Sequence, residues 1–214
     1  AKRIKTLLDQ YGVPEFLNKR DAFLFKMYQA FGHHFDFIAI PIIKKRLRMD
    51  TSQVIINEER PQLTKHLATR FKEKIGQNVN LLGEVVLGNG EADHRYHHYL
   101  EALESPDINY ISVKISGIYA QTHALNYEES FPELVSRMSA LYQKAIDFPY
   151  TDEDGIKRSK FINLDMEEYK DAHFTLRLFK AVLNLPQFKN YSAGIVVQAY
   201  LPDAYDFQTE LLEF

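Results

Sequence analysis

The sequence predicts an α/β protein: an N-terminal helical arm, then four β/α units, the first half of a (β/α)8 TIM-like barrel. Three observations carry this expectation. Residues 1–76 read as helical, an arm or cover for the later residues, while residues 77–214 alternate short apolar runs with helical patterns. That alternation implies parallel strands joined by right-handed crossovers. Each of the four runs also carries a polar residue that a buried strand should not: Glu84, Lys114, Asp165 and Gln198. A charge in an apolar strand is costly unless it is paired or wetted. Four in succession point to one shared site at the carboxyl ends of the strands.

Ile4, Leu7, Leu8 and Tyr11 keep helical spacing, and Gly12-Val13-Pro14 stops that segment. Phe23 to Phe37 is aromatic-rich and reads as helix, Pro41 breaks the next apolar stretch, and Lys44 to Arg48 forms a small basic cluster. Pro61 suits the first turn of a helix bearing Leu63, Leu67 and Phe71, with Gly76 as its C-cap.

The first strand spans Asn78 to Glu84, and the first crossover helix runs from Glu91 to Glu104, ended by Ser105-Pro106. The second strand spans Asn109 to Ser116. Asn126 with Glu129 resembles a capping box, opening a helix with the stripe Phe131, Leu134, Val135, Met138, Leu141 and Tyr142. Asp154-Gly155 signals a hairpin in a surface insertion. The third strand spans Lys160 to Tyr169, and its helix carries Phe174, Leu178, Phe179 and Val182. The fourth spans Gly194 to Tyr200, and a last helix with Phe207, Leu211 and Leu212 comes after Pro202. The expectation is that the fourth helix is cut and that a larger barrel continues beyond it; a small open sheet, complete in itself, is the alternative.

Composition narrows the function classes. The 214 residues are 45% hydrophobic and 26% charged with net charge −3, so no basic excess points to nucleic acid or an anionic membrane. No apolar run approaches the ~18 residues of a membrane helix, and Ala1-Lys2-Arg3 leads into no signal-peptide pattern. The absence of cysteine excludes disulfides, thiolate nucleophiles and Cys-ligated metals from these residues, and fits a reducing compartment.

Each candidate has a functional and a structural reading. Lys114 offers a compact positive charge to a carboxylate or phosphate, or guards a strand edge. Asp165 and Glu167, two apart, share a strand face; they suit acid/base work, metal ligation or a counter-ion role. Glu168 and Asp171 read as helix N-terminal acids complementing the dipole. Glu84 is a base or a charge holding an arginine, or an acid ahead of a loop. Glu84 with Asp165 also has the make-up of a glycosidase pair. The Gln198 amide both donates and accepts, suiting the uracil-like edge of a flavin or a bond to a neighbouring strand end. Tyr200 lines the pocket or packs. His94, His97 and His98 share one helix face, but a peripheral helix away from the strand ends favours a solvated face over a metal site.

The blocks V-N-L-L-G-E-V-V-L-G, Y-I-S-V-K-I-S, F-I-N-L-D-M-E-E-Y-K-D and G-I-V-V-Q-A-Y-L-P-D, in this order, resemble the flavin-dependent proline dehydrogenases. The likeness is to the proline dehydrogenase portion of bifunctional bacterial proline-utilisation enzymes. It implies a distorted (β/α)8 barrel holding FAD, and oxidation of L-proline to pyrroline-5-carboxylate by hydride transfer to the flavin. It further implies electron transfer to a quinone, a fused or partner aldehyde dehydrogenase, and a cytoplasmic location, with peripheral association at the inner membrane left open. By the same likeness Lys114 binds the substrate carboxylate, Gln198 bonds the flavin ring with Tyr200 nearby, and Asp165 and Glu84 line the site. The family's fifth strand and last helix bring an Arg-x-Val-Lys-Gly-like segment and an arginine pair, which residues 1–214 do not contain. The chain alone is therefore expected to bind FAD weakly and not to oxidise proline, a non-catalytic half-barrel scaffold being the alternative role.

Overall fold

A computed structural model describes residues 2–15, 17–31, 36–51, 55–56, 60–81, 86, 88–120, 126–166 and 168–214. The chain divides into two compact units, Ala1–Leu63 and Thr64–Phe214.

In the first unit, α1 (Lys2–Tyr11) packs on α2 (Lys19–Phe31), and α3 covers Asp36–Thr51. Gly12, at φ 76°, ends α1 where expected, and its N–H bonds to the Leu8 carbonyl. The Asn18 side chain accepts from the Asp21 N–H at 2.9 Å and donates to the Asp21 carboxylate at 2.7 Å. That reciprocal cap starts α2 at Lys19. Pro41 does not break the next stretch but lies inside α3. Pro41 forfeits the bond to Phe37 O and its ring crowds that carbonyl, a cost of about 3 kcal/mol, yet the helix is continuous from Asp36 to Thr51.

Helix α4 (Arg60–Lys72) spans the division, with Pro61 in its first turn. Its C-terminus corrects the Gly76 expectation. Ile75 N–H bonds to Arg70 O and Lys74 N–H to Phe71 O, both at 3.0 Å, and Lys74 holds φ 59°. This is a Schellman motif with lysine, not glycine, at the left-handed position.

The second unit is built on four parallel strands in the order β1 (Asn78–Asn80), β2 (Tyr110–Lys114), β5 (Phe161–Asp165), β6 (Gly194–Ile195). Successive β/α units supply neighbouring strands, the order of a barrel wall. The crossovers are α5 (Asn89–Glu104), α7 (Tyr127–Asp147) and α8 (Ala172–Leu183), and α9 (Ala204–Leu212) follows β6. Hairpin β3 (Tyr150–Thr151) and β4 (Lys157–Arg158) forms the expected insertion. Its loop closes through Asp152 N–H to Ile156 O and turns at Gly155, φ 76°.

Alternation sorts the strands into two faces. Ile111, Val113, Ile162 and Leu164 are fully buried together with Leu134, Leu141 and Tyr142 of α7 and Leu178 of α8. The expected stripes of α7 and α8 thus face inward; truncating such a residue to alanine costs about 2–5 kcal/mol. A satellite core of Met166, Ala172, Leu176 and Phe207 gathers Ile195, Val197 and Leu211, while Leu212 is exposed.

All four strand ends differ from expectation, and the first strand stops at Asn80. After Lys114 the chain enters a one-turn helix, α6 (Ile115–Ile118), whose last carbonyl accepts from Arg137 at 2.8 Å. The third strand stops at Asp165 and leads through a 3-10 turn at Tyr169–Asp171 into α8. The fourth pairs only through Ile195, with one further bond from Val196 N–H to Leu164 O. A turn closed by Leu201 N–H to Gln198 O then takes Gln198 and Tyr200 out of the strand. Asn126 stands at the N-cap of α7 as expected, but its side chain makes no capping bond.

Candidate active site

The second face of the sheet is a polar ladder. Asn78 and Asn80 of β1, Ser112 and Lys114 of β2, and Asn163 and Asp165 of β5 alternate with the apolar residues and share one side. Register places Asn80 beside Ser112, Ser112 beside Asn163, and Lys114 beside Asp165. Asn78 Nδ2 donates to Ser112 Oγ at 2.8 Å. Asp165 accepts from Asn163 Nδ2 at 2.9 Å and from Asn80 Nδ2 at 3.4 Å. The sequence-selected lysine and acid therefore meet at the carboxyl ends of adjacent strands, the acid held by two amides.

Gln198 lies past the end of β6, half-buried, and its Nε2 donates to Met166 O at 3.2 Å. This is the strand-end bond, one of its two readings, and it ties residue 198 to the residue after Asp165. Tyr200 is 80% exposed. Glu84 and Glu167 lie outside the described residues.

The rim is pinned by two phenol–carboxylate bonds. Tyr127, at the start of α7, donates to Asp171, the N-cap residue of α8, and its ring stacks on Phe174 at 4.2 Å. Burial, then the Asp171 bond, pushes the Tyr127 phenol up to about 12. Tyr169 donates to Asp203, the N-cap residue of α9. Glu168 pairs with Lys170 at 2.7 Å. Sequence reasoning misses these tyrosines, and it misses Asn80, Ser112 and Asn163. A signal for the last two is present: each stands two residues before a selected charge.

At the opposite end of the sheet, Lys160 is 1% exposed and its Nζ donates to Ser105 O, at the C-cap of α5. Burial pushes its ammonium down to about 8, with Asp107 acting against the shift. Among the described residues no group of three or more His, Cys, Asp and Glu is placed to hold a metal, and no helix is long and apolar enough to cross a membrane.

Parallel strands in barrel order, helices on the apolar face and charged groups at the strand carboxyl ends define a β/α-barrel module with a polar mouth. The family model described as proline dehydrogenase matches residues 63–214, and the chain belongs to the proline dehydrogenase family, a family of oxidoreductases. It is similar to proline utilization A (PutA) from Corynebacterium freiburgense, with 38% identity and a TM-score of 0.69 over 78% of this chain and 17% of that one. It is also similar to PutA from Bdellovibrio bacteriovorus inactivated by N-propargylglycine, with 27% identity and a TM-score of 0.67 over 83% of this chain and 20% of that one. A mutant PutA from Bradyrhizobium japonicum, 24% identical with a TM-score of 0.53 over 64% of this chain and 14% of that one, shares the fold. The chain thus spans a fifth or less of these solved relatives. Among curated proteins none matches.

Proposed function

We propose that this chain supplies one wall of a proline-oxidising site, converting L-proline to pyrroline-5-carboxylate with FAD as cofactor. The observation that carries the reading is the cross-strand placement of Lys114 beside Asp165 at the strand carboxyl ends, in a chain of the proline dehydrogenase family.

Proline is a small zwitterion, so its site needs a fixed cation for the carboxylate and neighbouring polarity that tolerates the ring nitrogen. Lys114 takes the substrate carboxylate through a charge-assisted hydrogen bond. Asp165, held by Asn80 and Asn163, keeps a fixed negative charge next to that lysine and sets the field around it. The donor set also fits a flavin. Gln198, anchored to Met166 O, presents a two-sided amide at the same mouth, with Tyr200 beside it. FAD, when bound there, would supply the hydride acceptor for the ring carbon beside nitrogen. Glu84, outside the described residues, is carried over from the family likeness as a second acid of the site. The proposed partners are a quinone as final electron acceptor and an aldehyde dehydrogenase, fused or separate, for pyrroline-5-carboxylate. The cytoplasm, with or without peripheral contact at the inner membrane, is the proposed location.

The experiment is to purify the polypeptide that carries residues 1–214 and record its visible spectrum with proline added. Flavin absorbance that bleaches on proline addition is the expected result. A flavin-loaded protein that does not bleach, or one that hydrolyses glycosides without flavin, would overturn the reading.

A further inference from the structure

Asn163 stands at the centre of the polar ladder and touches neither substrate nor cofactor in the assignments above, entering them only through its bond to Asp165. It is 9% exposed, and register places it between Ser112 on β2 and Gly194 on β6. Its Nδ2 lies 2.9 Å from Asp165 Oδ1. An ionised carboxylate only accepts, so chemistry requires the NH2 end of the amide to face Asp165 and the carbonyl end to face the other way. On that other side is Gly194. A Cβ built there meets Asn163 Oδ1 at 2.6 Å and the Phe161 ring at 2.9 and 3.0 Å, closer than real side chains approach. The glycine therefore makes room for an amide oriented by the acid, and any larger residue at 194 forces the amide, the Phe161 ring or both to shift.

We infer that Asn163 is a positioning residue that fixes the Asp165 carboxylate beside Lys114, and that Gly194 is the notch this amide requires. The inference rests on the proline-oxidising reading for its kinetic consequence, but not for its geometry. Without its strand-mate donor Asp165 keeps only the longer bond from Asn80, at 3.4 Å, so its carboxylate is less firmly held opposite Lys114 and the field at the substrate carboxylate changes, while the amide at 198 does not.

The test has two arms. In the proline-oxidising polypeptide, Asn163→Leu keeps the branching and heavy-atom count of the side chain and removes the donor. The expected result is a tenfold or greater fall in kcat/KM for proline with flavin content unchanged, and less than a twofold fall when the same change is made on an Asp165→Asn background. Equal falls on both backgrounds overturn the inference, and a wild-type polypeptide that binds flavin without oxidising proline overturns the functional reading alone. The second arm needs no activity. In the 214-residue chain, the side-chain amide NMR signals of Asn163 are expected to shift on Asp165→Leu and again on Gly194→Ala, at wild-type fold as judged by the remaining backbone signals. Asn163 amide signals indifferent to Asp165→Leu overturn the inference.

Discussion

Lys114 and Asp165 are cross-strand partners in the parallel pairing of β2 with β5, each the last residue of its strand. Neither position is isolated. The acid accepts from Asn80 and Asn163, and the lysine sits where the chain turns into α6. The lysine and the acid that the proposed function assigns to the substrate carboxylate and its field therefore sit on the two most central strands of the sheet, the rigid placement that a site needs.

Lys114→Ala tests the cation. A hydrogen bond to a charged group contributes about 1.5–3 kcal/mol, so KM for proline is expected to rise about 10- to 100-fold by the same conversion. Flavin content, read from absorbance per mole of protein, is expected to stay at the wild-type level. Parallel loss of proline turnover and flavin would remove the carboxylate role and make Lys114 part of cofactor retention.

Lys74 tests the end of α4. A non-glycine residue in the left-handed region costs about 1–2 kcal/mol, and glycine removes that cost while the two Schellman bonds stay. The Lys74–Glu153 pair at 3.3 Å is lost in any replacement, and such surface pairs contribute little. Comparing Lys74→Gly with Lys74→Ala cancels the pair. The glycine variant is expected to be the more stable by about 1 kcal/mol in urea melts. Equal stability would mean that residue 74 is not held at positive φ.

Much of this fold is legible because periodicity survives in one sequence. The stripe Leu134, Met138, Leu141, Tyr142 names the buried face of α7, and Ile111-x-Val113 with Ile162-x-Leu164 names the apolar face of the sheet. Lys114 and Asp165 stand out as charges within those runs. Ser112 and Asn163 do not, because a short polar residue in a strand is unremarkable until register shows what lies beside it. Gln198 reads as a strand residue since Val196 and Val197 look like strand, and only the turn to Leu201 decides where pairing stops. Gly76 attracts the C-cap assignment on propensity, but the helix closes two residues earlier, with Lys74 in the left-handed position.

Tyr142 tests the packing behind the sheet. Its ring is fully buried against Phe188 and Tyr191, at centroid distances of 5.7 and 4.9 Å. Its hydroxyl has no hydrogen-bond partner among the described residues, and burial pushes its ionisation upward. An unsatisfied buried hydroxyl costs about 1–3 kcal/mol, and phenylalanine keeps both ring contacts. Tyr142→Phe is expected to melt at or above the wild-type temperature by calorimetry. A clear drop would mean that the hydroxyl is satisfied, by an ordered water for example.

Lys160 gives the pH dependence. Burial lowers its ammonium from 10.5 to about 8 in the folded protein. Between those values the unfolded chain holds a proton that the folded chain has released, so stability rises as pH rises through this window. The slope approaches at most about 1.4 kcal/mol per pH unit for one proton. Below pH 8 both states carry the charge, and the folded state bears the full desolvation cost, relieved in part by the bond to Ser105 O and by Asp107. Tyrosines and other lysines titrate in the same range, so the quantity to measure is the difference between wild type and Lys160→Met. In urea unfolding at steps from pH 7 to 10.5, wild type is expected to gain on the methionine variant as pH rises. A constant difference across the series would show that Lys160 keeps its ordinary proton affinity in the fold.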